Sequence, residues 1–217
     1  MTVCVSASPS ITGKTWEQFV QERIFDPLGM TDTGFHVPAE KAHRLAASYT
    51  ATPQGKMKLD DDPAKSLYLA PPTLYSGGGG LCSTASDYLT FCRALLNGGE
   101  LGGVRLLGPK TLRLMASNHL PGGVDLPVLS RSMFSEATLN GVGFGLGFAV
   151  TMDPAKTLLP GSAGEFYWGG MASTAFWIDP AEELITIFMT QLIPSSRYPV
   201  RRESRTMVYA AITDSNL

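Results

Sequence analysis

The first regular hydrophobic pattern of the chain predicts a helix that begins after Thr15. Four apolar residues recur there at the three- and four-residue spacing of one helix face: Trp16, Phe19, Val20 and Ile24. The Thr15 hydroxyl and the Gln18 side chain match the capping-box pattern, which satisfies free backbone N–H groups at the start of a helix. Pro27 and Gly29 follow the last apolar residue, so we expect the helix to end there.

Two further helices are predicted in the middle of the chain. Ser83 or Thr84 can cap the first of them, and Asn97-Gly98-Gly99 tolerates the left-handed conformation that ends many helices. Its apolar stripe consists of Ala85, Tyr88, Leu89, Cys92, Leu95 and Leu96. Gly108-Pro109 opens a shorter helix, because a proline at the first helical position loses no hydrogen bond. Its inward residues are Leu112, Met115 and Ala116.

From Gly143 onward the pattern changes to short apolar runs typical of strands. The runs cover residues 144–152, 165–168, 173–178 and 184–190, with connections of hairpin length between the last three. Such connections predict an antiparallel meander. The chain ends in a helical pattern that would cover one face of the sheet. Its expected inward residues are Met207, Val208, Ala211 and Ile212.

These elements predict the α+β class, with an antiparallel sheet covered by helices. The whole chain, residues 1–217, is then one partial domain, divided into a helical and loop region (14–135) and a sheet region with the C-terminal helix (136–217). Residues 31–75 show no sustained period and contain several prolines and an acidic run, so they are predicted to form a long ordered loop region.

Composition and charge exclude several classes of function. The chain has 217 residues, 44% of them apolar, and a formal net charge of −2. A chain of this apolar content folds into a globular domain, and its charge offers no field that attracts nucleic acid or an anionic membrane. We therefore expect neither a nucleic-acid partner nor a membrane partner. The three cysteines show no spacing typical of a disulfide framework or a zinc site.

No cofactor or metal site is predicted. Gly13-Lys14-Thr15 resembles the end of a phosphate loop, but Ser8 stands where the first glycine is required. The four glycines at 77–80 lack a following lysine. The three histidines share no metal-ligand spacing, and the acidic residues 60–62 lack the pattern of a calcium loop.

Taken together, four stretches resemble the serine β-lactamase and penicillin-binding-protein-like superfamily, in particular its class C-like carboxylesterase branch. They are residues 15–19 with 24–35, residues 78–88 with Phe91, residues 143–148, and the string Tyr167-Trp-Gly-Gly170 followed by 174–180 and 189–191. The resemblance implies a hydrolase that acylates a serine, with a lysine and a tyrosine that move protons and two backbone N–H groups that bind the substrate carbonyl oxygen.

The resemblance also implies roles for particular residues. Trp168-Gly169-Gly170 aligns with the third motif of the family, and the Met171 backbone N–H would then be one donor to the carbonyl oxygen. Tyr75 and Ser76 are expected near the same substrate. The glycines would leave room for a substrate against the strand, although two glycines in a hairpin turn beside a core tryptophan also need no catalytic reason.

The other two motifs of the family are absent. No lysine in the sequence has a serine three positions before it, and no tyrosine is followed two positions later by asparagine or serine. The chain thus resembles the C-terminal part of such an enzyme, and its substrate would be a small ester or amide. Trp168 replaces a lysine that suits a substrate carboxylate, which favours esters over penicillins.

Alternative functions remain open from the sequence. The second hypothesis is that the chain is a truncated non-catalytic product, one half of a split protein that needs a complementing N-terminal chain, or a ligand-binding pseudoenzyme. A β-rich binding module outside the family is a further alternative. Because strands from the N-terminal part of the family fold would be missing, an exposed sheet edge is expected to drive self-association.

Overall fold

The computed structural model describes residues 8–129 and 139–216. The helices are α1 (Trp16–Val20, continued by helical turns at Gln21–Phe25 and Asp26–Leu28), α2 (Ala85–Leu96), α3 (Pro109–Met115), α4 (Leu126–Leu129), α5 (Pro154–Thr157) and α6 (Val200–Ala210). The strands are β1 (Ser48–Ala51), β2 (Met57–Asp61), β3 (Glu100–Leu101), β4 (Val104–Arg105), β5 (Val142–Phe144), β6 (Ala149–Thr151), β7 (Phe166–Gly169), β8 (Ala175–Asp179), β9 (Leu184–Phe188) and β10 (Leu192–Ile193). The predicted α+β class is confirmed, whereas the predicted division between residues 135 and 136 lies outside the described ranges. None of the helices in these ranges is long and apolar enough to cross a lipid bilayer.

The main sheet is the predicted antiparallel meander. Within the described ranges it has five strands, in the order β5-β6-β7-β8-β9, so each strand pairs with the next along the chain. One prediction is wrong: residues 144–152 form a hairpin instead of a single strand, with Phe144 opposite Ala149. Gly147 lies between the two strands with φ 109°, a conformation that residues with a side chain rarely adopt, and the chain reverses there.

One face of this sheet carries the hydrophobic core and is covered by α2 and α3. The core residues are at most 9% exposed and comprise Cys92, Leu95, Leu112, Phe148, Val150, Phe166, Phe176 and Ile178. The ring of Tyr88 on α2 meets that of Phe176 on β8 edge to face, with centres 5.1 Å apart. Each such apolar side chain stabilises the fold by roughly 1.5–3 kcal/mol when it is fully buried, so this layer fixes β7 and β8 against α2.

The opposite face is covered by α6, and the predicted inward residues are wrong for Met207 and Ala211, which are exposed, whereas Val208 and Ile212 are half-buried. Met207 is 73% exposed, whereas Arg205 is 8% exposed and forms an ion pair with Glu165. The Arg205 guanidinium also lies over the rings of Tyr167, at 5.0 Å, and Trp177, at 5.5 Å. From α6, the side chains of Arg201, Arg205 and Tyr209 contact residues of the main sheet and its connections.

Residues 31–75 are more regular than predicted. They contain β1 and β2, which pair antiparallel with each other, and β1 also pairs in parallel with β10. Tyr49 lies opposite Leu192, near the other end of the chain. β2 is mostly exposed and β1 has one buried residue, so neither strand shows the alternation of apolar and polar residues by which a half-buried strand is recognised in a sequence.

The start of α2 is tied to the loop that follows the first helix. Asp87 is 9% exposed, and its Oδ2 accepts hydrogen bonds from the Asp32 N–H at 2.7 Å and the Thr33 hydroxyl at 2.9 Å. The Thr84 hydroxyl caps α2 by accepting from the Asp87 N–H. This arrangement fixes the position of α2, and through α2 the position of the main sheet.

The Asp87→Ala variant is expected to lose about 1–3 kcal/mol of unfolding free energy, because the Asp32 N–H and the Thr33 hydroxyl lose their acceptor. Urea denaturation of the variant and the parent chain measures this loss. Ser86→Ala, at an exposed neighbouring position, is the control and should stay within about 0.5 kcal/mol of the parent. Superimposable curves for Asp87→Ala and Ser86→Ala would contradict the role of Asp87.

Candidate active site

The candidate site lies where β7 turns into β8. Trp168 is 43% exposed near the end of β7, and its ring meets that of Phe144 edge to face, with centres 5.0 Å apart. Phe176 lies opposite Trp168 in the β7–β8 ladder and is buried in the core below. The tryptophan is therefore held from below and offers an apolar surface to solvent beside the turn.

The turn itself is fixed by backbone hydrogen bonds. The Gly170 N–H donates to the Thr174 carbonyl at 2.9 Å, and the Ser173 N–H donates to the Gly170 carbonyl at 3.1 Å. Met171 stands at the tip, 65% exposed. In the part of the chain that the structure describes, no acceptor bonds the Met171 N–H. This N–H is thus available to an acceptor that comes from outside the fold.

Packing against neighbouring side chains requires glycine at both Gly169 and Gly170. A Cβ on Gly169 would lie 2.7 Å from Cζ of Arg201, and a Cβ on Gly170 would lie 2.5 Å from Oγ1 of Thr174. Real Cβ atoms do not approach other atoms so closely, so a side chain at either position would displace its neighbour. The packing alternative that the sequence left open is therefore sufficient to explain Gly169 and Gly170, and the assignment of the site depends on Met171.

Ser173 connects the turn to the second sheet. Its side chain is buried, its φ is 71°, and its hydroxyl donates to the Leu192 carbonyl at 2.6 Å. The Leu192 N–H donates to the Ala172 carbonyl at 3.0 Å. A residue other than glycine in the left-handed region costs conformational energy, which is typical of functional turns. The turn is thus held from both sides, by β8 and by β10.

A small cavity of about 40 Å³ lies behind the turn, lined by Ser173, Phe188, Thr190, Leu192, Tyr198 and Val200. This volume holds only a few water molecules. A substrate that reaches the Met171 N–H must therefore approach from the exposed side of the turn, where Trp168 lies.

Tyr75 and Ser76 make their contacts with residues outside the β7–β8 turn. The Tyr75 ring packs edge to face on Phe35, with centres 5.1 Å apart, and a hydrogen bond with the Glu17 carboxylate raises the pKa of its hydroxyl. Ser76 is exposed and accepts a hydrogen bond from the Gly78 N–H. Among the described residues, no hydrogen bond, ion pair or ring contact joins either residue to Trp168 or Met171. The structure thus shows the β7 residues and Met171 in one turn, and it packs Tyr75 on the cluster around the first helix.

The Tyr167 hydroxyl on β7 does not supply a base near pH 7. Burial raises the pKa of Tyr167 to about 12, although a hydrogen bond with Thr151 lowers it in part, so this hydroxyl stays neutral near pH 7. Over the two described ranges, no three His, Cys, Asp or Glu side chains come together as metal ligands. The site thus offers the N–H of Met171, without an acceptor among the described residues, and the partly exposed ring of Trp168 three positions earlier in the chain.

The structure adds two residues that the sequence analysis did not single out. One is Ser173, which holds the turn from below, and the other is Arg201 of α6, whose Nη2 donates to the Gly170 carbonyl and to the Thr174 carbonyl, the latter at 2.9 Å. A signal for Arg201 does exist in the sequence: Arg201, Arg205 and Tyr209 recur every four residues and so mark a polar helix face.

Comparison with known sequences places these features in a family. Residues 7–210 match the family model described as beta-lactamase. An uncharacterized protein of Mycobacterium tuberculosis is 38% identical over 180 residues, which cover 82% of this chain and 43% of that protein. The monacolin J acid methylbutanoyltransferase of Aspergillus terreus is 28% identical, over 92% of this chain and 49% of the enzyme. Esterase EstB of Burkholderia gladioli is 28% identical, over 82% of this chain and 45% of the esterase.

Comparison with solved structures shows the same fold in enzymes about twice as long as this chain. Unliganded simvastatin synthase from Aspergillus terreus, as its selenomethionyl derivative, superimposes with a TM-score of 0.79 at 25% identity, over 99% of this chain and 54% of that chain. EstCE1, a hydrolase with promiscuous acyltransferase activity, superimposes with a TM-score of 0.69 at 25% identity, over 93% of this chain and 52% of that chain. The chain spans about half the length of the relatives that it matches.

Proposed function

Because the chain belongs to the beta-lactamase family, we propose that it forms one wall of a serine acyl-transfer site, in which the Met171 N–H binds the carbonyl oxygen of a small ester. One observation carries the proposal: Met171 is exposed at the tip of a fixed turn, and its N–H donates to no acceptor among the described residues. A donor that is fixed in advance stabilises the negative charge that develops on a carbonyl oxygen during acylation.

The ester class is supported by the apolar surface beside the donor. Trp168 stands at the position where a lysine would suit a substrate carboxylate, and its exposed ring accommodates an uncharged acyl or alcohol group instead. The relatives include proteins named as an esterase and as a methylbutanoyltransferase. The proposed reaction is thus acylation of a serine by an ester, followed by transfer of the acyl group to water or to an alcohol.

The proposal assigns the nucleophile to residues that this sequence does not contain. No serine here stands three positions before a lysine. The acylating serine, its lysine and the tyrosine would come from a complementing N-terminal segment with Ser-x-x-Lys and Tyr-x-Asn. We call the fusion of this chain to such a segment, taken from a family member that contains both motifs, the joined protein.

The proposed function is tested with the chain alone and with the joined protein. Hydrolysis of p-nitrophenyl butyrate and labelling by a fluorophosphonate probe are measured for both. We expect the joined protein to hydrolyse the ester and to carry the label on the serine of Ser-x-x-Lys, and the chain alone to do neither above the buffer rate. Label on the chain alone would overturn the assignment of the nucleophile. A folded joined protein without label or turnover would overturn the esterase proposal in favour of a ligand-binding protein.

The exposed edge of the main sheet predicts that the isolated chain self-associates. In the described ranges β9 pairs only with β8, and its sequence Leu184-Ile-Thr-Ile-Phe188 contains no charge or proline that would protect an edge strand. If two chains paired antiparallel with their Thr186 residues opposite each other, Ile185 of each chain would lie opposite Ile187 of the other. We expect sedimentation velocity to show a dimer or larger species at micromolar concentration.

Thr186→Lys is expected to shift the isolated chain toward the monomer, because a lysine on an edge strand opposes strand addition. Thr206→Lys adds the same charge on the exposed side of α6 and is the matched control, expected to leave the distribution unchanged. A parent chain that sediments as a monomer, or an equal shift in both variants, would contradict association through β9.

A further inference from the structure

Arg201 of α6 reaches across the sheet to the turn that carries Met171. Its Nη2 donates to the Gly170 carbonyl oxygen and, at 2.9 Å, to the Thr174 carbonyl oxygen. The guanidinium lies against Gly169, where an added Cβ would be 2.7 Å from Cζ. The glycine of the motif thus makes room for an arginine side chain.

The peptide group between Gly170 and Met171 links this contact to the candidate donor. The Gly170 carbonyl and the Met171 N–H belong to one planar group, and in a trans peptide they point in opposite directions. The one cis peptide in the described ranges is Ile193–Pro194, so this peptide is trans. With its oxygen held toward α6 by Arg201, the group must direct its N–H away from α6.

From this geometry we propose that Arg201 is a positioning residue for the carbonyl-binding site: it orients the Gly170–Met171 peptide and polarises its N–H. The inference rests on the proposed function, since it assigns a task to the donor of that site. A hydrogen bond from a cation is stronger than one between neutral groups, and it draws electron density from the peptide toward its oxygen. The Met171 N–H then becomes a better donor to a substrate oxygen.

The contacts that hold α6 against the sheet also fix the position of Arg201. Arg205, one turn further along, is buried against Glu165 and the rings of Tyr167 and Trp177. The Ser173 N–H gives the Gly170 oxygen a second donor at 3.1 Å. Loss of Arg201 is therefore expected to leave the turn folded and to change the direction and polarity of one peptide group.

The sequence offers a direct view of that peptide. It contains two glycine–methionine pairs, Gly29–Met30 and Gly170–Met171. Carbonyl-13C glycine together with 15N methionine labels the peptide group of each pair, and a triple-resonance spectrum of the full chain shows one peak for each. Gly29–Met30 ends the first helix, far along the sequence from the turn, and serves as an internal reference for folding.

The spectra compare the parent chain with Arg201→Met, Arg201→Lys and Arg202→Met. Arg202 is exposed on the same helix, so Arg202→Met makes the same change of charge and is the matched control. We expect the Gly170–Met171 peak to move upfield in carbonyl carbon and amide proton in Arg201→Met, to move less in Arg201→Lys, and to stay in place in Arg202→Met. The Gly29–Met30 peak should stay in place throughout. An unmoved Gly170–Met171 peak in a folded Arg201→Met chain would overturn the inference.

Kinetics of the joined protein provide the second measurement. Arg201→Met is expected to lower kcat about tenfold with KM within about threefold, a smaller effect than complete removal of a donor. Arg201→Lys should recover part of kcat, and Arg202→Met should equal the parent. An active joined protein in which Arg201→Met keeps the parent kcat would overturn the inference alone. A joined protein without any turnover would overturn the proposed function, while the spectra of the isolated chain would still decide what Arg201 does to the peptide.

Discussion

Met171→Pro in the joined protein is expected to lower kcat for p-nitrophenyl butyrate by about 10²–10³-fold, the loss typical of removing one donor to a developing oxyanion. Proline lacks the backbone N–H and keeps the rest of the peptide. In the parent structure no acceptor among the described residues uses this N–H, so the fold loses no hydrogen bond in the variant. The variant should therefore lose stabilisation of the transition state and keep the stability of the fold, so the loss should appear in kcat more than in KM.

Met171→Ala is the matched control, because it removes the exposed side chain and keeps the N–H. We expect its kcat to stay within about threefold of the parent. Circular dichroism and Tm establish that both variants are folded, which matters because proline also restricts the residue before it. A folded Met171→Pro protein with the parent kcat would remove Met171 from the site, and an equal loss in Met171→Ala would assign the effect to the side chain.

The elements that the sequence predicted correctly are those whose signals are local. Thr15 and Gln18 form the predicted capping box, and Thr84 caps α2 as its position before an apolar stripe indicated. Short connections predicted the antiparallel order of β7, β8 and β9. In each of these cases the residues that determine the structure lie within one element or its adjoining turn.

Predictions failed where the determining contact is distant or unusual. The pairing of β1 with β10 joins segments that are far apart in the sequence, and no local pattern reports it. For α6 the pattern was interpreted with apolar residues inward, but the structure directs Arg205 inward and leaves Met207 exposed. An arginine is buried there because Glu165 neutralises its charge and the rings of Tyr167 and Trp177 cover its plane. These partners lie on β8, on β7 or directly before it, far from α6 in the sequence.

The candidate site was predictable only in part for the same reason. Trp168, Gly169, Gly170 and Met171 are consecutive, so a motif could mark them. Arg201 acts on the same turn from a different element, and its contact with Gly169 becomes evident only in the fold. The expected nearness of Tyr75 to the site came from the resemblance, and the contacts that the structure shows for Tyr75 are those with Phe35 and Glu17.

Arg205→Met is expected to destabilise the chain by about 3–5 kcal/mol, because it removes the cation that neutralises a buried carboxylate. Glu165 is 1% exposed and would retain neutral donors, the Thr151 hydroxyl at 2.7 Å and the Tyr209 hydroxyl at 2.7 Å. For a chain of this size the expected fall in Tm is roughly 6–20 °C. Differential scanning calorimetry and urea denaturation measure it. Arg202→Met, which removes an exposed arginine from the same helix, is the control and should change the unfolding free energy by less than about 0.5 kcal/mol.

The double variant Arg205→Met/Glu165→Gln separates the charge effect from the loss of packing. Since it leaves neither charge buried without a partner, it is expected to be more stable than Arg205→Met alone, although it still lacks the guanidinium over Tyr167 and Trp177. If the double variant is less stable than Arg205→Met by the full cost of Glu165→Gln, the two residues do not interact energetically. In that case α6 is held by its cation–π contacts and hydrogen bonds, and Arg201 would keep its place over Gly169 without the ion pair of Arg205.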